Sequence, residues 1–173
     1  VEQICQPIKV LGWLGESWGF WVQTGAFLLS AVAAVMVIYH NASQARIRAT
    51  IDLIIHQKGD KELLACIETV YKLSAEKVQF SKFANDMHTP EAKCILKVLN
   101  NHEFIAAGIR TKSFDENIYK LTQYSNVLKV WDSSRGIIAE MRQIEKKDTL
   151  FQEFEWLAER WKKNMLKKTK LIK

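Results

Sequence analysis

"SWGFWVQTGAFLLSAVAAVMVIYH", Ser17 to His40, decides the class of this protein. From Phe20 to Tyr39 twenty positions carry no charged residue. At about 1.5 Å rise per residue, a helix of that length matches a hydrocarbon core of roughly 30 Å. Trp13, Trp18 and Trp21 on one flank, and Tyr39 and His40 on the other, suit rings seated at headgroup depth. The rest of the chain is too polar to cover a helix that is apolar on every side, which argues against a soluble core helix. A cleaved signal peptide fits poorly, since Lys9 is the only early base and the run is long and aromatic.

Orientation follows from the flanking bases. Lys9 stands alone before the span, whereas Arg46, Arg48 and Lys58 follow it closely. The positive-inside bias therefore puts the N-terminus outside and the chain from about residue 42 in the cytoplasm. The expected organisation is an external segment 1–17, a transmembrane helix 18–41, a cytosolic helical bundle 42–159 and a basic C-terminal tail 160–173.

The part beyond the span is long enough for one compact domain with a core. Two Pro and seven Gly in 173 residues, with abundant Leu, Ile, Ala, Lys and Glu, favour helices over strands. The span is expected to continue as helix through "NASQARIRATIDLIIHQ", where Ile47, Ile51, Ile54 and Ile55 recur at helical spacing, and to stop at Gly59. A second helix is expected over about Lys61 to Lys77, burying Leu63, Leu64, Ile67, Val70, Tyr71 and Leu73. Thr89 and Pro90 open a third as cap and first helical residue. "SFDE" (113–116) reads as a capping box for a long helix with Ile118, Leu121, Leu128, Trp131, Ile137 and Met141 inward. "TLFQ" (149–152) reads as another, opening a last helix with Phe151, Phe154, Leu157 and Trp161 inward. The fold class is all-α: one transmembrane helix continuing into a bundle of four or five helices. Cys5, Cys66 and Cys94 show no disulfide framework, and Cys66 and Cys94 read as small buried residues of a reducing compartment.

Catalytic chemistry is poorly supported. His40, His56, His88 and His102 show no metal-gathering spacing, and neither a phosphate loop nor a nucleophile elbow is present. No metal or cofactor is expected. The most suggestive stretch is "KVLNNHEF", with Lys97, Asn101 and His102 on the third helix. Helical-bundle RNases of the HEPN type place an Arg, four to six other residues and then a His, the Arg to hold phosphate and the His to move a proton. Here Lys97 stands where that Arg would be, so the cluster reads as a degenerate site at most, and a structural His on a polar face is the plainer reading.

The basic charge is concentrated at one end. Residues 160–173 hold Arg160, Lys162, Lys163, Lys167, Lys168, Lys170 and Lys173 with no acid, so the remaining chain is near neutral. Such a tail suits anionic headgroups or RNA phosphate, or is a solvated helix end. The lack of an aromatic residue after Trp161 speaks against a stacking platform for single-stranded RNA.

The span itself is not uniformly apolar. Gln23, Ser30, Val37 and Gln44 fall seven apart, with Ala34, Asn41 and Arg48 on the same stripe. The opposite side shows Leu28, Leu29, Val32, Val35, Met36 and Tyr39, a lipid face. A seam of polar and small residues faces another helix or water rather than lipid. A single-span chain has no second helix to offer, so the partner is another copy or another protein. Helix–helix adhesion and pore lining both use such a seam. Gln23 at one end, with Asn41, Gln44 and Arg48 at the other, slightly favours a wetted one.

With these residues in view, the span, "SQARIRATIDLI", "LNNHEFIAAGIRTKSFDENIYKL" and "VLKVWDSSRGIIAEMRQ" resemble an uncharacterised family of small bacterial and prophage membrane proteins. Within that family they are most similar to the membrane accessory proteins of type VI-B CRISPR systems. The resemblance covers most of the chain through diffuse hydrophobic patterns. It implies a degenerate HEPN-like bundle and an antiphage role beside an RNA-guided RNase effector. That role would be exercised at the bacterial inner membrane as an oligomeric pore. The missing Arg before His102 counts against inherited RNase activity.

The expectation is therefore a non-enzymatic homo-oligomeric pore of on the order of six to eight copies, since packed helices sit about 8–10 Å apart. Its lining would be Gln23, Ser30, Ala34, Val37, Asn41, Gln44 and Arg48, and it would perturb membrane permeability or potential. The rivals are a membrane-tethered RNA-binding or RNase module, and a plain membrane scaffold.

Overall fold

The computed structural model describes residues 17–167. Lys9, Trp13, Cys5, Lys168, Lys170 and Lys173, which figure in the sequence reading, lie outside the described residues. Among the described residues the fold is all-helical: α1 (Trp18–Gly59), α2 (Lys61–Ala75), α3 (Pro90–Arg110), α4 (Glu116–Glu145) and α5 (Gln152–Lys163), with a 3-10 turn at Phe80–Phe83 between α2 and α3. Among the described residues α1 is the one helix long and apolar enough to cross a membrane.

The chain forms two compact units, one up to Gln44 and one from Ala45 onward. In the first, none of the described residues is buried. Ser30 turns its hydroxyl back to the Ala26 carbonyl, 2.9 Å away, which satisfies it within the helix.

The second unit is a bundle arranged about α3, which buries Ile95, Val98, Leu99, His102, Ile105 and Ile109 along one broad face. Helices α2 and α5 pack on it, and α4 lies against α5 and the 3-10 turn. The last helix contributes Phe154, Leu157 and Trp161, all fully buried, as its sequence pattern predicts. Two expected core leucines are instead exposed, Leu64 at 44% and Leu121 at 68%, while Tyr119, Val127, Val130 and Ile138 take inward places. On α4 the expected Trp131, Ile137 and Met141 are buried, and Leu121 points away from their face.

Helix starts follow local chemistry, with two departures from the expected boxes. Thr89 caps α3 as predicted, its hydroxyl accepting the Ala92 N–H at 3.2 Å ahead of Pro90. α1 stops at Gly59 because Asp60 leaves the helical backbone and caps α2, its carboxylate accepting the Leu63 N–H at 2.9 Å. For α4 the cap is Asp115, not Ser113: its carboxylate accepts the Ile118 N–H at 3.0 Å. Ser113 belongs instead to the end of α3, where the N–H groups of Ser113 and Phe114 both reach the Gly108 carbonyl. Gly108 is required there, since a Cβ would lie 2.2 Å from the Phe114 ring.

At α5 the Thr149 box does not form. Phe151 occupies the cap position in the left-handed region with no side-chain cap. The orphan N–H groups of Glu153 and Phe154 donate instead to the Glu103 carboxylate of α3, at 3.3 and 2.7 Å. A long-range carboxylate thus supplies both the cap and the negative charge that a helix N-terminus favours.

The cysteine expectation needs correction. Cys66 on α2 and Cys94 on α3 are disulfide-bonded, with Cα atoms 4.6 Å apart across the helix pair. Their separation of 28 residues gives no hint of pairing in sequence, because only the packing of α2 on α3 brings them together. Closing a loop of that length is worth about 3–4 kcal/mol in the chain-entropy account.

Glu103→Ala is expected to lower the stability of the bundle by about 1–3 kcal/mol by leaving the α5 N–H groups unpaired. Glu103→Gln should recover part of the loss, and Glu140→Ala on the exposed side of α4 should change little. Chemical denaturation of the detergent-solubilised protein, followed by far-UV dichroism, measures all three.

Candidate functional site

Two sets of residues are candidates for function: the stripe of α1 and the polar cluster on α3. The described structure places them in separate units except for the last residue of the stripe.

Gln23, Ser30, Ala34, Val37, Asn41 and Gln44 are all exposed on α1. Arg48, the last of the stripe, belongs to the bundle unit and is exposed as well. Within that unit α1 buries one face only. Thr50 and Ile54 are inside, with Arg46, Leu53 and Gln57 partly covered. At about 100° per residue this face lies roughly opposite the stripe. The stripe's register continues into Ile51 and Ile55, seven residues after Gln44 and Arg48. Both isoleucines are large apolar side chains left open, 43% and 62% exposed. Ile51 and Ile55 appear in the sequence only as members of a helical apolar pattern. Their exposure required the structure, because the pattern alone does not show which isoleucines the bundle covers.

The α3 cluster does not converge. Lys97 turns to α2 and pairs with Glu62 at 2.6 Å. Asn101 turns to α1, its Oδ1 accepting from Gln57 Nε2 at 3.2 Å. His102 is 5% exposed and stacks on Phe154 of α5, ring centroids 4.9 Å apart. The next residue, Glu103, caps α5. Lys97, Asn101, His102 and Glu103 on one central helix thus serve three different neighbours, α2, α1 and α5.

Asn101 and His102 do share a small cavity of about 220 Å³ with Gln57, Tyr119, Gln123 and Asn126. Asn101 Nδ2 and His102 Nδ1 are buried there without a hydrogen-bond partner. Burial lowers the His102 pKa to about 4, so the ring is neutral at ordinary pH. Burial also raises the Tyr119 phenol, keeping it protonated despite the opposing Gln57 hydrogen bond. The inner groups are therefore neutral donors and acceptors; the charged lining residue is Lys58, which is exposed. The cavity lacks the paired cation and titrating base that phosphodiester cleavage asks of Lys97 and His102. Among the described residues no cluster of His, Cys, Asp and Glu could hold a metal ion. The partners missed by sequence, Tyr119, Gln123 and Asn126, carried a signal in their i, i+4, i+7 spacing on α4, one helical face.

Of the basic end, Lys162 lies on α5 and is ion-paired with Asp132 at 2.9 Å and Glu159 at 3.3 Å. Arg160 pairs with Glu116 at 2.9 Å, and Trp161 beside them is in the core. Lys163 closes α5, and it and Lys167 are exposed.

His102 gives the bundle a pH dependence of known sign. Its folded pKa lies below the unfolded value of about 6.5, so acid favours the unfolded chain. The contribution of a neutral His102 is intact above about pH 6.5, and is lost progressively as pH falls towards about 4. The loss should reach about 3 kcal/mol. Denaturation midpoints of wild type and His102→Phe between pH 7 and pH 4 test this, and the difference between their slopes isolates His102 from the carboxylates.

The match to known sequences covers residues 24–161, from just inside the apolar stretch to Trp161 of the core, and is to the domain of unknown function DUF4760. No curated protein and no solved structure matches the chain. The matched residues include the stripe of α1 from Ser30 onward and the bundle up to Trp161, and the chain belongs to the DUF4760 family.

Proposed function

We propose that this protein is a non-enzymatic homo-oligomer that assembles through the α1 stripe around a membrane pore. The carrying observation is that Ile51 and Ile55, which continue the stripe's register, are left exposed while the opposite face of the same helix is buried. An exposed apolar pair in line with a polar membrane seam favours a partner presenting the same surface. Copies related by rotation about one axis present that surface to each other without any second protein. A ring of on the order of six to eight helices leaves a water-filled centre at helix spacings of about 8–10 Å. Gln23, Asn41 and Gln44 would then meet water, and Arg48 would repeat as a basic ring at one mouth.

The resemblance to type VI-B CRISPR accessory proteins supplies the setting we propose for such a pore. Opening would perturb inner-membrane permeability or potential during phage infection, alongside an RNA-guided RNase effector. An RNase activity of the protein's own has little support, because Lys97 and His102 serve different neighbours and the His is buried and neutral.

Two features bear on orientation and oppose each other. Arg46, Arg48 and Lys58 after the span favour a cytosolic bundle, whereas disulfides such as Cys66–Cys94 persist in oxidising compartments. We take the basic flank as the determinant, because it acts during insertion, before the bundle has folded. In intact cells a cysteine placed at Glu2 should react with an impermeant thiol reagent, and one placed at Lys167 should not. The reverse pattern would turn the protein over and remove the cytosolic RNase link.

Mass measurement in detergent is expected to give on the order of six to eight copies. Ile55→Glu should lower that number, whereas Leu121→Glu, an exposed leucine on α4 away from the stripe, should not. In liposomes, Asn41→Leu should reduce conductance by adding a dry constriction, and Arg48→Glu should shift selectivity from anions towards cations. A monomer that passes no ions, with effector and target RNA also present, would reject the pore. Equal currents from wild type and both variants would mean that another face lines it.

A further inference from the structure

At one end of the bundle, a groove of about 380 Å³ is walled by Arg46 of α1, Ile109 and Arg110 of α3, Phe114 before α4, and Trp156 and Arg160 of α5. Lys112 and the carboxyl-bearing Asp115 and Glu116 complete its rim. All belong to the unit from Ala45 onward. The charges are not balanced one for one. Arg110 is held by Glu153 through Nη1 at 2.8 and 2.9 Å, and Arg160 by Glu116 through Nε at 2.9 and 3.2 Å. Asp115 spends its carboxylate on the cap of α4.

Two cations remain without an ion pair among the described residues. Arg46 has its Nε buried with no hydrogen-bond partner. Lys112 is exposed on a left-handed residue, φ 61°, at the turn between α3 and α4. The guanidinium groups of Arg110 and Arg160 each lie 5.6 Å from the Trp156 ring, one through each ion pair's cationic end. The walls are thus cationic at the rim and apolar along Ile109, Phe114 and Trp156.

We propose that this groove binds the phosphodiester of an anionic phospholipid headgroup. Arg46 and Lys112 would supply the charge, and the first methylenes of the lipid would lie on Ile109, Phe114 and Trp156. Position along the chain favours a lipid over a soluble anion. Arg46 is six residues past His40, about 9 Å of helix beyond the apolar run, which is headgroup depth for a spanning helix. The inference rests on α1 crossing the membrane but not on ring formation or conduction, so a monomeric, non-conducting protein would leave it standing.

The test measures binding of short-chain phosphatidylglycerol to the full chain in neutral detergent by calorimetry, with short-chain phosphatidylcholine, inorganic phosphate and a short single-stranded RNA as parallel arms. Phosphatidylglycerol should bind more tightly than the other three. Arg46→Gln and Lys112→Gln should each weaken it about fivefold or more, while Lys163→Gln, on an exposed base outside the groove, should leave it unchanged. Lys112 is on the surface, so its variant reports even if Arg46→Gln does not fold. Equal binding of inorganic phosphate would make this a free-anion site and overturn the lipid assignment. RNA binding that is lost in the two variants, without phosphatidylglycerol binding, would overturn it in favour of nucleic acid. Phosphatidylglycerol affinity unchanged in Lys112→Gln and in a folded Arg46→Gln would locate the attraction elsewhere on the basic chain and equally reject the proposal.

Discussion

The Thr50 hydroxyl is bonded at both ends inside the bundle, and the remaining features are arranged around it. It accepts the Asp115 N–H at 2.7 Å and donates to the Arg46 carbonyl at 2.8 Å. Thr50 is fully buried, so breaking either bond would leave a polar group in a dry place, a cost of about 1–3 kcal/mol. The pair fixes the α4 cap against α1 and thereby fixes the rotation of α1 about its own axis. With Thr50 inward, Arg48, Ile51 and Ile55 are outward. With Asp115 held at this point, Arg46 forms one wall of the groove beside Phe114 and Arg110.

The centre of the bundle solves a different problem. α3 carries polar residues at Lys97, Asn101, His102 and Glu103, and burying them together without partners would be costly. The helix distributes them instead. Lys97 pairs with Glu62, Asn101 meets Gln57, and Glu103 caps α5, whose own sequence provides no cap. His102 is the exception: it stacks on Phe154, loses its charge, and keeps an unpartnered Nδ1 at the edge of a cavity of neutral groups. What resembles a catalytic string in one dimension is, in three, a set of structural ties around a hub.

The α1 stripe and the basic groove use different halves of one constraint. In α1 the bundle-forming run has one covered face, and among the described residues the apolar run before it has none buried. In the proposed assembly the stripe is the side that meets identical copies. The groove forms at the edge of the covered side, where the first bases after the apolar run meet the ends of α3 and α4. Assembly and headgroup contact therefore make separable demands on Arg48 and Arg46, two residues apart on one helix.

Much of this was legible in the order of residues. Twenty uncharged positions specify a helix of spanning length, and Thr89-Pro90 and the Phe154, Leu157, Trp161 spacing mark their helices through local chemistry that needs no neighbour. The seam of Gln23, Ser30, Asn41 and Arg48 is likewise a property of helical period alone. What depended on tertiary structure were the relations between segments distant in sequence. Glu103 stands 50 residues from the N–H it caps, Cys66 and Cys94 meet only because α2 packs on α3, and the charges at Arg110 and Arg160 are neutralised by partners more than 40 residues away. Local propensity specifies where a helix begins and which face is apolar. Which polar groups are then satisfied, and which are left free to meet a lipid or another copy, is decided by packing, because burial is a property of the neighbours and not of the residue.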